Sequence, residues 1–172
     1  WGLVPHWAKY MSDRGQINAR VETVVTNNTF RDSFAKRRCL IPADGFYEWG
    51  PHEEGRHPHW IYRADGHPMV FAAIWAVRKD HDTGEWLRSC AIITRSAAGV
   101  VEPIHDRMPV VVPPDAWETW LDRQMNDPEA ALGLIGGVDA EVIMEHRVSK
   151  AVNSVRNDGP HLVEPAQPET LF

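Results

Sequence analysis

Three polar residues sit in stretches that would otherwise be apolar or purely structural, and each could move or hold a proton. Glu48 lies inside Gly45-Phe46-Tyr47-Glu48-Trp49, a short run rich in aromatics. A carboxyl group walled in by Phe46, Tyr47 and Trp49 loses solvation, titrates higher and suits proton transfer near neutral pH. Strand alternation supplies the competing reading, in which Glu48 points to solvent, and the pattern alone favours it. His105 stands between two prolines in Pro103-Ile104-His105-Asp106-Arg107-Met108-Pro109. That cluster offers an imidazole, a neighbouring carboxylate and a guanidinium able to grip phosphate. An ordinary surface loop with a local ion pair accounts for it equally well. Asn18 lies in Ile17-Asn18-Ala19-Arg20, where capping of a following helix is the better reading of the residues alone. Arg20 could bind a phosphate or pair with Glu22.

Other residues carry weaker signals. His52, His57 and His59 could invite a metal, but they lack the spacing and partners of a zinc site, and a solvated loop is expected instead. Trp1 and Trp7 could stack on nucleic-acid bases. With eight tryptophans in the chain, core packing competes seriously with that role. Cys39 and Cys90 fall in apolar segments without metal-like spacing and read as reduced, buried thiols.

The elements that must position these groups are mostly short strands. Thirteen prolines and twelve glycines in 172 residues favour a turn-rich chain over a helix bundle. Helix-like mixing covers 21–38. Residues 39–49 read as strand, Asp-Gly turn, strand, and 59–63 and 69–77 flank Ala-Asp-Gly-His as a hairpin. Between them 50–59 is expected as a polar loop. Further strands are expected at 86–94, at the end of 103–112 and at 141–149, with short helical potential at 96–102. Residues 113–124 form the clearest helix, with prolines at its start and Trp117, Trp120 and Leu121 on one face; a weaker helix covers 128–135. The sum is an α+β fold: a β-meander, or a partly closed barrel-like sheet, with helices packed outside it. Residues 1–165 read as one domain and 166–172 as a tail.

A hydrophobic fraction of 43% and a charged fraction of 24% are ordinary globular usage. No apolar run reaches the length of a membrane span and nothing resembles a signal peptide, so a cytoplasmic protein without membrane partner is expected. The net charge of −6 argues against indiscriminate duplex binding, although a local basic groove can sit on an acidic protein.

Taken in order, WGLVPHW, INAR-VET, RCLIPADGFYEW, IHDRMPV and VSKAVNSVRNDG resemble the SOS response-associated peptidase family, also called abasic-site processing proteins. The resemblance runs from Trp1 to about Pro165. It implies an enzyme whose N-terminal cysteine condenses, through amine and thiol, with the ring-opened abasic site in single-stranded DNA. A thiazolidine cross-link results, with associated lyase, release and autopeptidase chemistry, no cofactor, no metal and a monomeric protein. It also implies roles. Asn18 orients the N-terminal residue, Glu48 shuttles protons, and His105 polarises the deoxyribose oxygen. Arg20 and Arg107 hold backbone phosphates, and Trp1 walls the site. Asn18, Glu48 and His105 are thus expected to meet in one active site.

One departure stands out. No cysteine precedes Trp1, and neither Cys39 nor Cys90 matches the nucleophile's position. The resemblance therefore implies further residues ahead of Trp1, with a Cys-Gly-Arg start and a strand or two of the sheet. A different class of function, a non-catalytic single-stranded nucleic-acid-binding domain that has lost the nucleophile, is the alternative. The codons upstream of Trp1 discriminate between the two. A general peptidase acting on other proteins is a third and weaker option.

Overall fold

The computed structural model describes residues 1–8, 15–53, 55–80, 82–137 and 142–167. In chain order the first elements are β1 (Asn18–Arg20), α1 (Arg31–Lys36), β2 (Arg38–Ala43), β3 (Gly45–His52) and β4 (Gly55–Arg63). There follow β5 (Met69–Lys79), β6 (Trp86–Ser96), β7 (Arg107–Pro109), α2 (Trp117–Leu121), α3 (Pro128–Leu134) and β8 (Ile143–Arg147). Strands dominate and helices are short, an α+β chain.

Two compact units emerge, each assembled from three separate stretches. The first comprises Trp1–Pro42, Val70–Arg95 and Pro109–Val138; the second comprises Ala43–Met69, Ser96–Met108 and Asp139–Phe172.

The first unit is built on a sheet in which strands run in the order β1-β6-β5-β2. Strand β5, Met-Val-Phe-Ala-Ala-Ile-Trp-Ala-Val-Arg-Lys, is buried along most of its length, as a strand covered on both faces must be. It pairs antiparallel with β6, from Ala73↔Ile92 to Lys79↔Trp86. The connection between them includes Gly84, whose φ of +73° suits a residue without Cβ. Strand β1 joins the other side of β6 in parallel, with Asn18 opposite Ile92. The core gathers Phe34, Ile74, Ile93, Val110, Trp120 and Ile135. Trp120 meets Phe34 edge-on at 5.9 Å and donates from Nε1 to the Cys39 carbonyl at 2.9 Å. Arg38, only 9% exposed, fans into five carbonyls: Phe34, Ala35, Trp120, Asp122 and Met125, at 2.7 to 3.1 Å.

The second unit is built on the sheet β3-β4-β8, antiparallel throughout. Its register sets Glu48 opposite His59 and His59 opposite Arg147. Residues directly opposite share a face, so these three side chains form one row across the sheet. Trp49 Nε1 donates to Asn153 Oδ1 at 2.7 Å, fastening the Val-Asn-Ser-Val-Arg-Asn stretch to β3.

Several expectations are corrected. Among the described residues neither sheet closes into a barrel: the order β1-β6-β5-β2, with β7 also paired to β6, leaves β1 and β2 at its ends. The Asp44-Gly45 turn does not fold β3 back on β2, because β2 belongs to the first sheet and β3 to the second. Nor is Ala64-Asp65-Gly66-His67 a hairpin, since β4 pairs with β3 and β8, and β5 with β2 and β6. The polar loop expected at 50–59 is instead the β3–β4 hairpin itself, paired to its tip at His52↔Gly55. The helix expected at 21–38 is helical only from Arg31 to Lys36. The helix expected at 113–124 is α2, preceded by a single 3-10 turn at Pro114–Ala116.

Candidate active site

Glu48 is fixed by β3, whose ladder with β4 runs unbroken from Gly45↔Tyr62 to His52↔Gly55. His105 is fixed by the loop that enters β7: its backbone N–H donates to the Val101 carbonyl at 3.0 Å. Within the second unit these two supports bring His105 Nε2 to 4.0 Å from Glu48 Oε2. Both side chains are partly covered, 34% exposed for His105 and 25% for Glu48.

The imidazole's tautomer follows from its neighbours. The Arg107 backbone N–H donates to His105 Nδ1 at 3.0 Å, and a backbone N–H can only donate. In the neutral ring Nδ1 is thus the acceptor, and the proton sits on Nε2, the nitrogen nearer Glu48. The same Nδ1 lies 3.1 Å from the Arg107 carbonyl and 3.2 Å from Asp106 Oδ1. Both can accept from it once the ring is protonated. His105 therefore has partners in either charge state, as a proton carrier requires.

Burial pushes the Glu48 carboxyl above its ordinary range. His105, Arg56 and the Trp49 backbone N–H pull against that shift, while the carboxylate of Asp106 adds to it. The solvent-facing reading of Glu48 gives way to a partly covered one: the side chain is 25% exposed and His105 Nε2 stands 4.0 Å from it.

The first unit holds the other expected residues. Asn18 and Arg20 are exposed on β1, flanking buried Ala19. Asn18 caps no helix, because it lies in a strand and the next helix begins at Arg31. Trp1 is 75% and Trp7 56% exposed, so neither packs in the core. Trp1 Nε1 donates to the Ile17 carbonyl at 2.8 Å, which sets its indole beside Asn18 in sequence. The structure thus gathers Glu48, His105 and Arg107 in one place within the second unit, and Trp1 with Ile17-Asn18 within the first. Arg107 is half-buried on β7.

Cys39 and Cys90 are free thiols, half-buried rather than buried. Desolvation, reinforced by Cys90, pushes the Cys39 thiol up to about 12, which leaves negligible thiolate at neutral pH. Among the described residues no group of three or more His, Cys, Asp or Glu is arranged to hold a metal ion, and no helix is long and apolar enough to cross a membrane.

Two participants were not legible as such. Arg56, assigned to a loop, donates from Nε to the Trp49 carbonyl at 2.8 Å and acts electrostatically on Glu48. His59, also assigned to the loop, holds Glu145 Oε2 at 2.6 Å through Nδ1. Its Nε2 edge lies against Gly50, where an added Cβ would come within 3.0 Å. Period-2 alternation continued past Trp49 would have placed both on a strand.

Comparison with known proteins now bears on this arrangement. The family described as "SOS response associated peptidase (SRAP)" matches residues 1–155. The chain belongs to that family. Among its relatives, abasic site processing protein YoqW of Bacillus subtilis (strain 168) is 36% identical over 166 residues, covering 95% of this chain and 74% of the relative. Abasic site processing protein YedK of Escherichia coli (strain K12) is 35% identical over 166 residues, covering 96% and 72%. A Bacteroides thetaiotaomicron protein of solved structure superposes with a TM-score of 0.87 at 28% identity, covering 97% of this chain and 75% of that one. The sequence resemblance is thereby borne out at the level of family and fold.

Proposed function

We propose that this family member processes abasic sites in single-stranded DNA, with Glu48 and His105 as its proton-moving pair. The observation that carries the proposal is the approach of His105 Nε2 to within 4.0 Å of a partly desolvated Glu48. Relatives at 34–36% identity that are abasic site processing proteins support the same reading.

The chemistry runs as follows. The lesion's C1′ hydroxyl must lose its proton to open the ring to the aldehyde, and the ring oxygen must gain one. His105, protonated at Nε2, donates toward that oxygen, and Glu48 receives or returns the proton. The nucleophile is the α-amine and thiol of an N-terminal cysteine, as the family resemblance implies. An α-amine titrates near roughly 7.7–8.0, so an appreciable minority of it is neutral and nucleophilic near pH 7. Its attack on C1′ gives a carbinolamine. Loss of water, with the hydroxyl protonated by the Glu48 carboxylic acid, gives the iminium that the thiolate closes to a thiazolidine. Asn18 orients the cysteine, Arg20 and Arg107 hold flanking phosphates, and Trp1 lines the site beside a base. Strand cleavage, reversal of the cross-link and removal of an N-terminal leader are further reactions of the same groups. Cys39, its thiol pushed up to about 12, is no substitute nucleophile.

The test is a protein that begins Cys-Gly-Arg and continues into this sequence, mixed with single-stranded DNA carrying one abasic site. A heat-stable adduct is expected at neutral pH, and a folded protein that forms none overturns the proposal. Glu48→Gln should slow the adduct by on the order of 10²-fold while leaving DNA affinity nearly unchanged, the signature of general acid–base work.

A further inference from the structure

The Glu48 row does not end at the candidate site. Arg147, on β8, is in register with His59, which is in register with Glu48. Strands lie about 4.8 Å apart, so Arg147 stands about 10 Å along the sheet from Glu48, on the same face. There a cavity of about 460 Å³ opens within the second unit. Its lining includes His57, Arg147, Ser149, Lys150, His161 and Glu164. Arg147 and Lys150 thus bring two formal positive charges to it against the single carboxylate of Glu164, in a chain whose net charge is −6.

Arg147 is not neutralised from within. Its Nη2 donates to His57 Nδ1 at 3.0 Å, which makes that nitrogen an acceptor. His57 is only 4% exposed and stacks on His52 with ring centroids 4.0 Å apart, so it serves as a fixed post that aims the guanidinium. Among the described residues no carboxylate lies within ion-pair distance of Arg147. A guanidinium held by a neutral acceptor keeps its remaining donors and full charge for an anion, and its planar fork matches phosphate.

We infer that this cavity is a subsite for a DNA backbone phosphodiester, held by Arg147 and Lys150, flanking the lesion at the Glu48–His105 pair. The inference rests on the proposed action on single-stranded DNA. The subsite grips the strand without reading its sequence.

The experiment uses the full chain and single-stranded DNA carrying a tetrahydrofuran in place of the abasic sugar, which binds without reacting. Affinity is measured by fluorescence anisotropy over a range of KCl concentrations for wild type, Arg147→Gln/Lys150→Gln and Arg147→Lys. The double variant should bind three- to tenfold more weakly at low salt. Its slope of log K against log salt should shrink by about 0.7, the value for one phosphate contact to a single strand. Arg147→Lys should keep most of the slope. Unchanged melting temperatures certify that each variant is folded.

An unchanged slope in the double variant overturns the subsite. If wild type alone then takes up inorganic phosphate by calorimetry, the cavity serves free phosphate, which also overturns the DNA assignment. Failure of the wild type to bind single-stranded DNA at all would instead count against the proposed function. Oligonucleotides trimmed from either end identify the side on which the phosphate lies: the variant's defect should vanish with one trimming and not the other. A defect insensitive to both trimmings again overturns the subsite.

Discussion

Glu48 is held above its ordinary titration range by burial, and that has a thermodynamic sign. A carboxyl whose pKa is higher folded than unfolded binds a proton more tightly in the native state. Its contribution to stability is complete below the ordinary Glu value and is lost as pH rises through the raised one. At neutral pH the ionised carboxylate is therefore a burden on the fold, lightened by His105, Arg56 and partial exposure. Glu48→Gln removes that burden and keeps the shape. Its melting temperature should equal or exceed that of wild type at pH 8, and the difference should shrink as pH falls toward the ordinary Glu range. A clear loss of stability at pH 8 would contradict the sign. Activity should move the other way, which separates a functional carboxylate from a structural one.

At this scale the sequence was informative in places. A lone acid among aromatics and an imidazole between prolines raised Glu48 and His105 as candidates, but the pattern alone favoured a solvent-facing Glu48 and left His105 balanced until the family resemblance was added. The residues alone misled at Asn18, because an amide before a helix-like stretch is also how a cap looks; only the family resemblance assigned it elsewhere. Arg56 and His59 were lost to a run of polar residues, since charge density there masked the strand period.

Among elements, Arg38 ties together backbone from two helices and the connection after the second. Its partners at 34 and 35 end α1, and those at 120, 122 and 125 end α2 and open the next connection. Helix C-termini present carbonyls without intrahelical donors, and a buried guanidinium with five N–H groups satisfies them together. Arg38→Met fills similar volume but leaves several covered carbonyls without a donor. It should destabilise the chain by about 2–4 kcal/mol in urea titration, the range for breaking a buried charge-assisted network. The two failed hairpins belong here too. Asp65 does close a turn, accepting from His67 N–H at 3.1 Å, and Gly66 has a φ of +73°. Turn chemistry is local, however. It fixes where the chain reverses but not which edge the next strand pairs with, and that choice rests on burial of β5 from both faces.

For the whole molecule, connectivity matters more than composition. Each unit takes three stretches of chain, so the backbone passes from one to the other five times. Neither unit can lose its order without slackening tethers that run into the other. Unfolding in urea should therefore be one transition, with coincident midpoints from probes placed in each, for instance at the positions of Trp75 and Trp60. Two separated midpoints would show that the units melt independently.

The pairing of β1 with β6 has a consequence for how the protein is made. Asn18 must wait for Ile92, so about 70 residues are translated between the two partners. At 5–20 residues per second the ribosome takes roughly 4–15 s to supply them. Throughout that interval the nascent chain presents β1 as an unpaired strand edge. Chaperone demand and codon-speed sensitivity should thus concentrate in the stretch encoding residues 20–92, before the loop around His105 has been synthesised.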